Sequence, residues 1–151
     1  MGYFVFDSPI GNIGIETDEQ CVIAIEILPD RASEASPSPL ALRTMAELRS
    51  YFAGSLSTFT IPFPLKGTPF KQAVLKALLK IPYGQTVSYR DVAVMIGHPK
   101  ACRAVGSACA TNDIPLLIPC HRVIKSDRSI GRFGTRPDIK KWLIDMERSA
   151  K

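Results

Sequence analysis

Only two histidines, His98 and His121, occur in this 151-residue chain, and its four cysteines, Cys21, Cys102, Cys109 and Cys120, form no Cys-x-x-Cys pair. Zinc-ligand spacing is therefore missing, and no metal site is expected. The cysteines read as free thiols, so a reactive one must be recognised by its surroundings. Long apolar runs are lacking too. The longest uncharged stretch, Ser50 to Leu65, carries two prolines and several Ser and Thr, which excludes a membrane span. Asp7 and Pro9 interrupt the short apolar start, so no signal peptide is expected and the chain reads as intracellular. Internal repeats are absent. What remains, 46% hydrophobic and 22% charged residues, is the composition of a globular chain that can bury its own core.

The charge is unevenly spread. Residues 1–64 hold three Arg against eight Asp/Glu, a net −5, whereas residues 65–151 hold sixteen Lys/Arg against six Asp/Glu, a net +10. An acidic first half and a basic second half fit a polyanion bound by the C-terminal part, or a solubilising excess of charge.

Alternation of apolar and polar residues predicts two or three antiparallel strands within Tyr3–Leu28, turned at Ser8-Pro9-Ile10-Gly11 and at Thr17–Gln20. Pro29–Pro39, rich in Ser, Ala and Pro, reads as a surface loop. A helix is expected from Leu40 to Phe52, with Leu42, Met45, Leu48 and Phe52 on its apolar stripe. Ile61–Gly67 reads as the connector between an N-terminal lobe, 1–64, and a C-terminal lobe, 65–151. Thr68-Pro69 is an N-cap followed by proline at the first helical position, and Ser88–Asp91 is a capping-box variant opening a short helix that Gly97 closes. Pro99 is expected to start a third helix, Lys100 to Ala110, giving the outline of a helix-turn-helix. A last amphipathic helix, Pro137 to Arg148, is expected to turn Ile139, Trp142, Leu143 and Met146 inward.

Ala101–Ala110 contains eight small residues, one Val and a single long side chain, Arg103. Such a helix either packs tightly on a neighbour or enters a groove too narrow for bulky side chains, such as the minor groove of DNA at about 6 Å. Further on, Cys120 stands in an apolar run with His121 beside it. Buried structural cysteine and nucleophile are both open readings. Neighbours in an extended segment point to opposite sides, so a direct Cys–His pair is not guaranteed; a bridging water could relay the proton, with a carboxylate elsewhere holding the imidazole.

Pro119-Cys120-His121-Arg122-Val123 resembles the active-site signature of the O6-alkylguanine-DNA alkyltransferases, the methylated-DNA–protein-cysteine methyltransferases. The resemblance extends over Thr68–Glu147 and takes in Ser88-Tyr89, Arg103-Ala104-Val105-Gly106, Asn112, Glu147 and the first turn, Ser8–Gly11. It implies an α+β fold, with an N-terminal lobe of a small antiparallel sheet and helix followed by a mainly helical, winged-helix-like lobe. It also implies DNA repair by transfer of an alkyl group from O6 of guanine, and from O4 of alkylated thymine, to the Cys120 sulfur. The step is irreversible, uses each molecule once and needs no cofactor. Glu147 would orient His121, His121 would take the thiol proton through water, Asn112 would tie the recognition helix to the active-site segment, and Tyr89 would press on a phosphate and supply a proton. Arg103 would fill the space of a base flipped from the minor-groove side, with Tyr89, Arg90, Ala101, Gly106 and Ser126 also on the DNA. Pro115, Val123, Phe133 and Gly134 would line the pocket. The implied partner is duplex DNA carrying alkylated guanine, and the implied setting is a monomer in the cytoplasm of a prokaryote, or in a nucleus.

The chain departs from that pattern at three places. Phe133 replaces the usual lid tyrosine, Gly134-Thr135 replaces a Ser-Gly-like pair, and Asp113 stands where proline commonly follows the asparagine. Some relatives hold a structural zinc in the N-terminal lobe; two histidines argue against one here. Three other readings compete: a non-catalytic relative that flags alkylated bases, a helix-turn-helix regulator with an inert cysteine, and a Cys–His hydrolase. The first commonly replaces the cysteine by Trp, the second places polar readers on its recognition helix, and the third requires an oxyanion-hole motif.

Overall fold

The computed structural model describes residues 2–34, 36–131 and 136–150. They divide into two compact units, Met1–Pro64 with Asp113–Leu117, and Leu65–Asn112 with Ile118–Lys151. The α+β class expected from the sequence is observed. Among the described residues no helix is long and apolar enough to cross a membrane.

The first unit is a three-stranded antiparallel sheet, β1 (Gly2–Ser8), β2 (Gly11–Thr17) and β3 (Val22–Ile27), in the order β1-β2-β3. Gly11 takes φ +101° in the first turn, which favours glycine, and Ser8 Oγ closes that turn by accepting from Ile10 N. Cross-strand pairs Phe6–Ile13–Ile27 and Phe4–Ile15–Ile25 stack apolar residues on one face. The outer edge of β3 is occupied, since Val22 N donates to Pro62 O and Ile25 N to Asp113 O. Helix α1 (Pro39–Phe52), capped by Ser38 Oγ, packs on β1 and β2. Its buried stripe is Ala41, Thr44, Leu48, Tyr51 and Phe52, while Leu42, expected inward, is 43% exposed. A stripe chosen by hydrophobicity passes over Thr44, which hides its hydroxyl by donating to Leu40 O.

The second unit carries α2 (Pro69–Leu78), α3 (Tyr89–Met95), α4 (Cys102–Ala110) and α5 (Pro137–Ala150). Thr68 caps α2, and Ser88 and Asp91 form the expected capping box on α3. Helix α4 begins two residues later than expected. Pro99 lies in a turn closed by Ala101 N donating to His98 O, not in the helix. Two further features carried no signal of their own: parallel strands β4 (Val87–Ser88) and β5 (Val123–Ile124), and a single 3-10 turn over Cys120–Arg122.

Candidate active site

Cys120 opens the 3-10 turn and is buried, so it does not lie in the extended segment expected from the sequence. The turn follows a tight reversal in which Cys120 N donates to Ile118 O at 2.8 Å. Asn112, just beyond α4, donates from Nδ2 to that same carbonyl at 3.0 Å and also hydrogen-bonds the Cys120 sulfur. Burial pushes the Cys120 thiol up, and the Asn112 bond, the Lys140 charge and the backbone N–H of Cys120 oppose that rise. Cys109, on the inner side of α4, is pushed up to about 12 by burial and by the Cys120 charge, with the Lys140 charge opposing the rise. Of these two buried thiols, Cys120 alone has an amide donor that favours its thiolate.

Behind the cysteine lies a buried carboxylate network. His121 Nε2 is 2.6 Å from Glu147 Oε2, Arg122 donates to both carboxylate oxygens (Nε to Oε1 at 2.8 Å, Nη2 to Oε2 at 3.1 Å), and Gly84 N donates to Oε1 at 3.0 Å. Arg122 Nη1 also donates to Ile81 O, which anchors the guanidinium beyond α2. Burial would raise Glu147, but its hydrogen bond to His121, the charge that His121 carries once it is protonated in acid, and the bonds and charge of Arg122 prevail and hold it down at about 2. Burial also lowers His121, with the Arg122 and Lys140 charges adding to the effect and Glu147 opposing it. The consistent state is an ionised Glu147 paired with Arg122 and a neutral imidazole. An ionised carboxylate accepts only, so Nε2 carries the hydrogen and Nδ1 carries the lone pair. His121 is thus set up to accept a proton at Nδ1.

Tyr89, the first residue of α3, lies between two glycines. A Cβ on Gly106 of α4 would stand 4.0 Å from the ring, and one on Gly131 would stand 3.1 Å from the hydroxyl oxygen. Gly106, expected on the DNA, is half-buried against this ring, and Lys140 Nζ donates to the Tyr89 hydroxyl at 3.2 Å. Arg103, Ala104 and Ser107 lie exposed on α4, with Val105, Ala108 and Cys109 inward. Ala101 is the uncapped N-cap of that helix. Arg90 and Ser126 share the wall of a groove of about 450 Å³ with Ser88, Lys125 and Arg128. Val123 is fully buried in β5, and Pro115 is buried in 113–117, the segment counted with the first unit. Phe133 and Gly134 lie outside the described residues.

Two residues of this site escaped sequence reasoning. Arg122 was visible only as part of a motif, although it pairs with Glu147. Lys140 is fully buried on α5, where Trp142 was expected inward but is 37% exposed. The inward residues of α5, Ile139, Lys140, Leu143, Ile144 and Glu147, recur at helical spacing. That period was the available signal, hidden because two of its members are charged. Among the described residues, no group of three His, Cys, Asp or Glu is placed to hold a metal.

The family model for the 6-O-methylguanine DNA methyltransferase DNA-binding domain matches residues 69–149. The constitutive methylated-DNA–protein-cysteine methyltransferase of Bacillus subtilis is 37% identical, over 97% of this chain and 94% of its own length. The methylated-DNA–protein-cysteine methyltransferase of Mycobacterium tuberculosis is 39% identical, over 97% and 92%. A crystal structure of Mycobacterium tuberculosis OGT in complex with DNA superposes with a TM-score of 0.89 at 37% identity, covering 98% of this chain and 93% of that one. Likeness of this degree along nearly the whole length places the chain in the methylated-DNA–protein-cysteine methyltransferase family.

Proposed function

We propose that this protein repairs alkylated DNA by moving an alkyl group, typically methyl, from O6 of guanine to the Cys120 sulfur, with O4-alkylthymine as a second substrate. The observation that carries the reading is the Cys120 thiol, held by Asn112 and followed by a neutral imidazole locked on an ionised, Arg-paired glutamate. His121 Nδ1 takes the thiol proton through water, and the thiolate attacks the alkyl carbon in line. The C–O bond breaks, its electron pair passes to the guanine, and the stable thioether ends the protein's working life after one turnover. Residues 1–64 act as the supporting lobe and 65–151 as the lobe that binds duplex DNA and carries out transfer, in a monomer without cofactor or metal.

The exposed face of α4 favours entry from the minor groove, because Ala104 and Ser107 add little bulk and Arg103 alone projects far. Arg103 takes the place of the flipped nucleotide; Tyr89, Arg90, Ala101 and Ser126 hold the backbone beside it, with Gly106 behind Tyr89. We assign Pro115 and Val123 to the base pocket, together with Phe133 and Gly134, which lie outside the described residues.

Incubation with an oligonucleotide containing O6-methylguanine, followed by intact-mass and peptide mass spectrometry, tests the reading. One methyl on Cys120 is expected, and none in Cys120→Ser, which keeps its DNA affinity. A methyl on another cysteine, or transfer surviving in Cys120→Ser, would overturn it.

A further inference from the structure

The groove walled by Arg90, Lys125, Ser126 and Arg128 does not end at Arg128. It meets a recess of about 310 Å³ lined by Thr86, Ile124, Arg128, Ile130, Ile144 and Arg148. Thr86, Ile124 and Arg128 belong to both, so Arg128 stands where they join. Ile124 and Ile144 are buried and Ile130 is half-buried, whereas Arg128 and Arg148 are exposed, which gives the recess an apolar floor and a cationic rim. Arg148, in the last turn of α5, donates from Nη2 to Thr86 Oγ1 at 3.2 Å. That bond holds the guanidinium at the recess and leaves most of its N–H donors for a ligand. Arg128 sits in a tight turn in which Arg128 N donates to Lys125 O and Lys125 N to Ser129 O, both at 3.0 Å. Its φ is +72°, a conformation that favours glycine, yet the position carries a long cation.

We propose that groove and recess form one track for the sugar-phosphate backbone of duplex DNA, in which Arg128 and Arg148 hold phosphates beyond those at Arg90 and Ser126. This rests on the DNA-repair reading above.

Charge complementarity and continuity carry the argument. Among the described residues, none of Arg90, Lys125, Arg128 and Arg148 is in an ion pair. The carboxylates beside them are engaged elsewhere: Asp91 in the capping box of α3, and Asp127 by the backbone N–H and hydroxyl of Ser129. A row of unpaired cations along one trough suits a strand that carries a charge at every nucleotide. A planar guanidinium can also donate to two phosphate oxygens at once. The isoleucine floor suits the apolar side of a deoxyribose, which a bare anion would leave unused. Such contacts fix the duplex on the protein and add affinity by releasing counter-ions, without reading sequence. The track runs from the start of α3 to the last turn of α5, so it lengthens the DNA footprint with contacts that lie outside α4.

Fluorescence-anisotropy titrations of the full chain with an undamaged duplex, repeated over a range of salt, test the track. Arg128→Gly and Arg148→Gln should each lower the slope of log affinity against log salt by about 0.9, and the double variant by about 1.8. Arg128→Gly installs the residue that φ +72° favours, so its unfolding midpoint should not fall and weaker binding does not reflect misfolding. Arg128→Lys and Arg148→Lys should restore the slope, because each keeps its charge. With an O6-methylguanine duplex, the double variant should need roughly tenfold more DNA for half-maximal transfer at an unchanged maximal rate. A wild-type slope in the double variant would overturn the proposal. If that variant had also lost binding of an oligoglutamate peptide, the recess would belong to an acidic protein instead. Intact mass separates this from the underlying reading. If the wild-type chain gains no methyl on Cys120, the repair reading has failed; if it does while the double variant keeps the wild-type slope, the track alone has failed.

Discussion

Each unit of the molecule holds a glutamate gripped by an arginine that lies over a tyrosine ring. In the sheet, Arg31 pairs with Glu26 at 3.5 Å, stacks 3.5 Å above Tyr3, and Tyr3 donates its hydroxyl to Glu26. Around the cysteine, Arg122 pairs with Glu147 at 2.8 Å and lies 5.6 Å from the Tyr83 ring. The residue types are the same and the burial is not: side-chain exposure is 41% and 42% for Arg31 and Glu26, against 9% and 1% for Arg122 and Glu147. Exposed pairs contribute about 0–1 kcal/mol, whereas removing one member of a buried pair costs about 3–5 kcal/mol. The exposed cluster can lose its charges and keep its shape. The buried one fixes a tautomer, and a tautomer is what the chemistry needs.

Glu147→Gln should therefore give the largest effect. It leaves Arg122 buried without its counter-charge, with an expected loss of about 3–5 kcal/mol by denaturant unfolding. It also releases His121 from its orientation, so methyl transfer to Cys120 should slow by about 100-fold or more. Wild-type stability and rate in this variant would erase the distinction between the two clusters.

A pH series sharpens the contrast, because the two clusters fail at opposite ends. Glu147 is depressed from 4.5 to about 2 in the fold, so its contribution is complete above 4.5 and is lost as pH falls toward about 2. The depressed His121 acts in the same direction, and its share begins to fade below 6.5. Glu147 alone is expected to remove roughly 3 kcal/mol in acid, and His121 adds to that loss. Tyr3 is raised from 10 to about 12 by burial and by its bond to Glu26, so its contribution is complete below 10 and lost as pH rises toward about 12. Unfolding midpoints measured across pH should show both limbs. An acid limb unchanged in Glu147→Gln would mean that other groups produce it.

Sequence alone could reveal the local parts of this arrangement and not the assembled parts. Thr68-Pro69, the Ser88–Asp91 box and Gly11 are signals of one turn each, and the structure shows each where it was expected. The start of α4 was misplaced because proline fits a turn as well as a first helical turn. Strands β4 and β5 are two residues long and exist only as a pair, so neither carries an alternation of its own. For the site, Cys120 beside His121 left the chemistry open, and the link to Glu147, 26 residues beyond the histidine, came from family resemblance. Lys140 was hidden for a physical reason. A buried lysine is tolerated only where Tyr89 and the two thiols, on three other elements, assemble around it, and no window of the chain records that.

The smallest effects belong to the exposed cluster, and they test what holds it together. Tyr3 crosses β2 over Gly14, where a Cβ would stand 2.2 Å from the Tyr3 hydroxyl oxygen and 2.7 Å from the ring. Tyr3 itself is 2% exposed, so the ring is packed even though its ionic partners are wet. Gly14→Ala must displace that ring and should cost about 1–3 kcal/mol, the usual range for overpacking. Glu26→Gln keeps an acceptor for the Tyr3 hydroxyl and removes a charge that solvent already screens. Arg31 retains Glu16 at 3.6 Å and Glu34 at 2.8 Å, so its guanidinium is not stranded. The expected loss is below about 1 kcal/mol, with methyl transfer to Cys120 unchanged. If Glu26→Gln instead matched Glu147→Gln in stability, burial would not be what separates the two clusters.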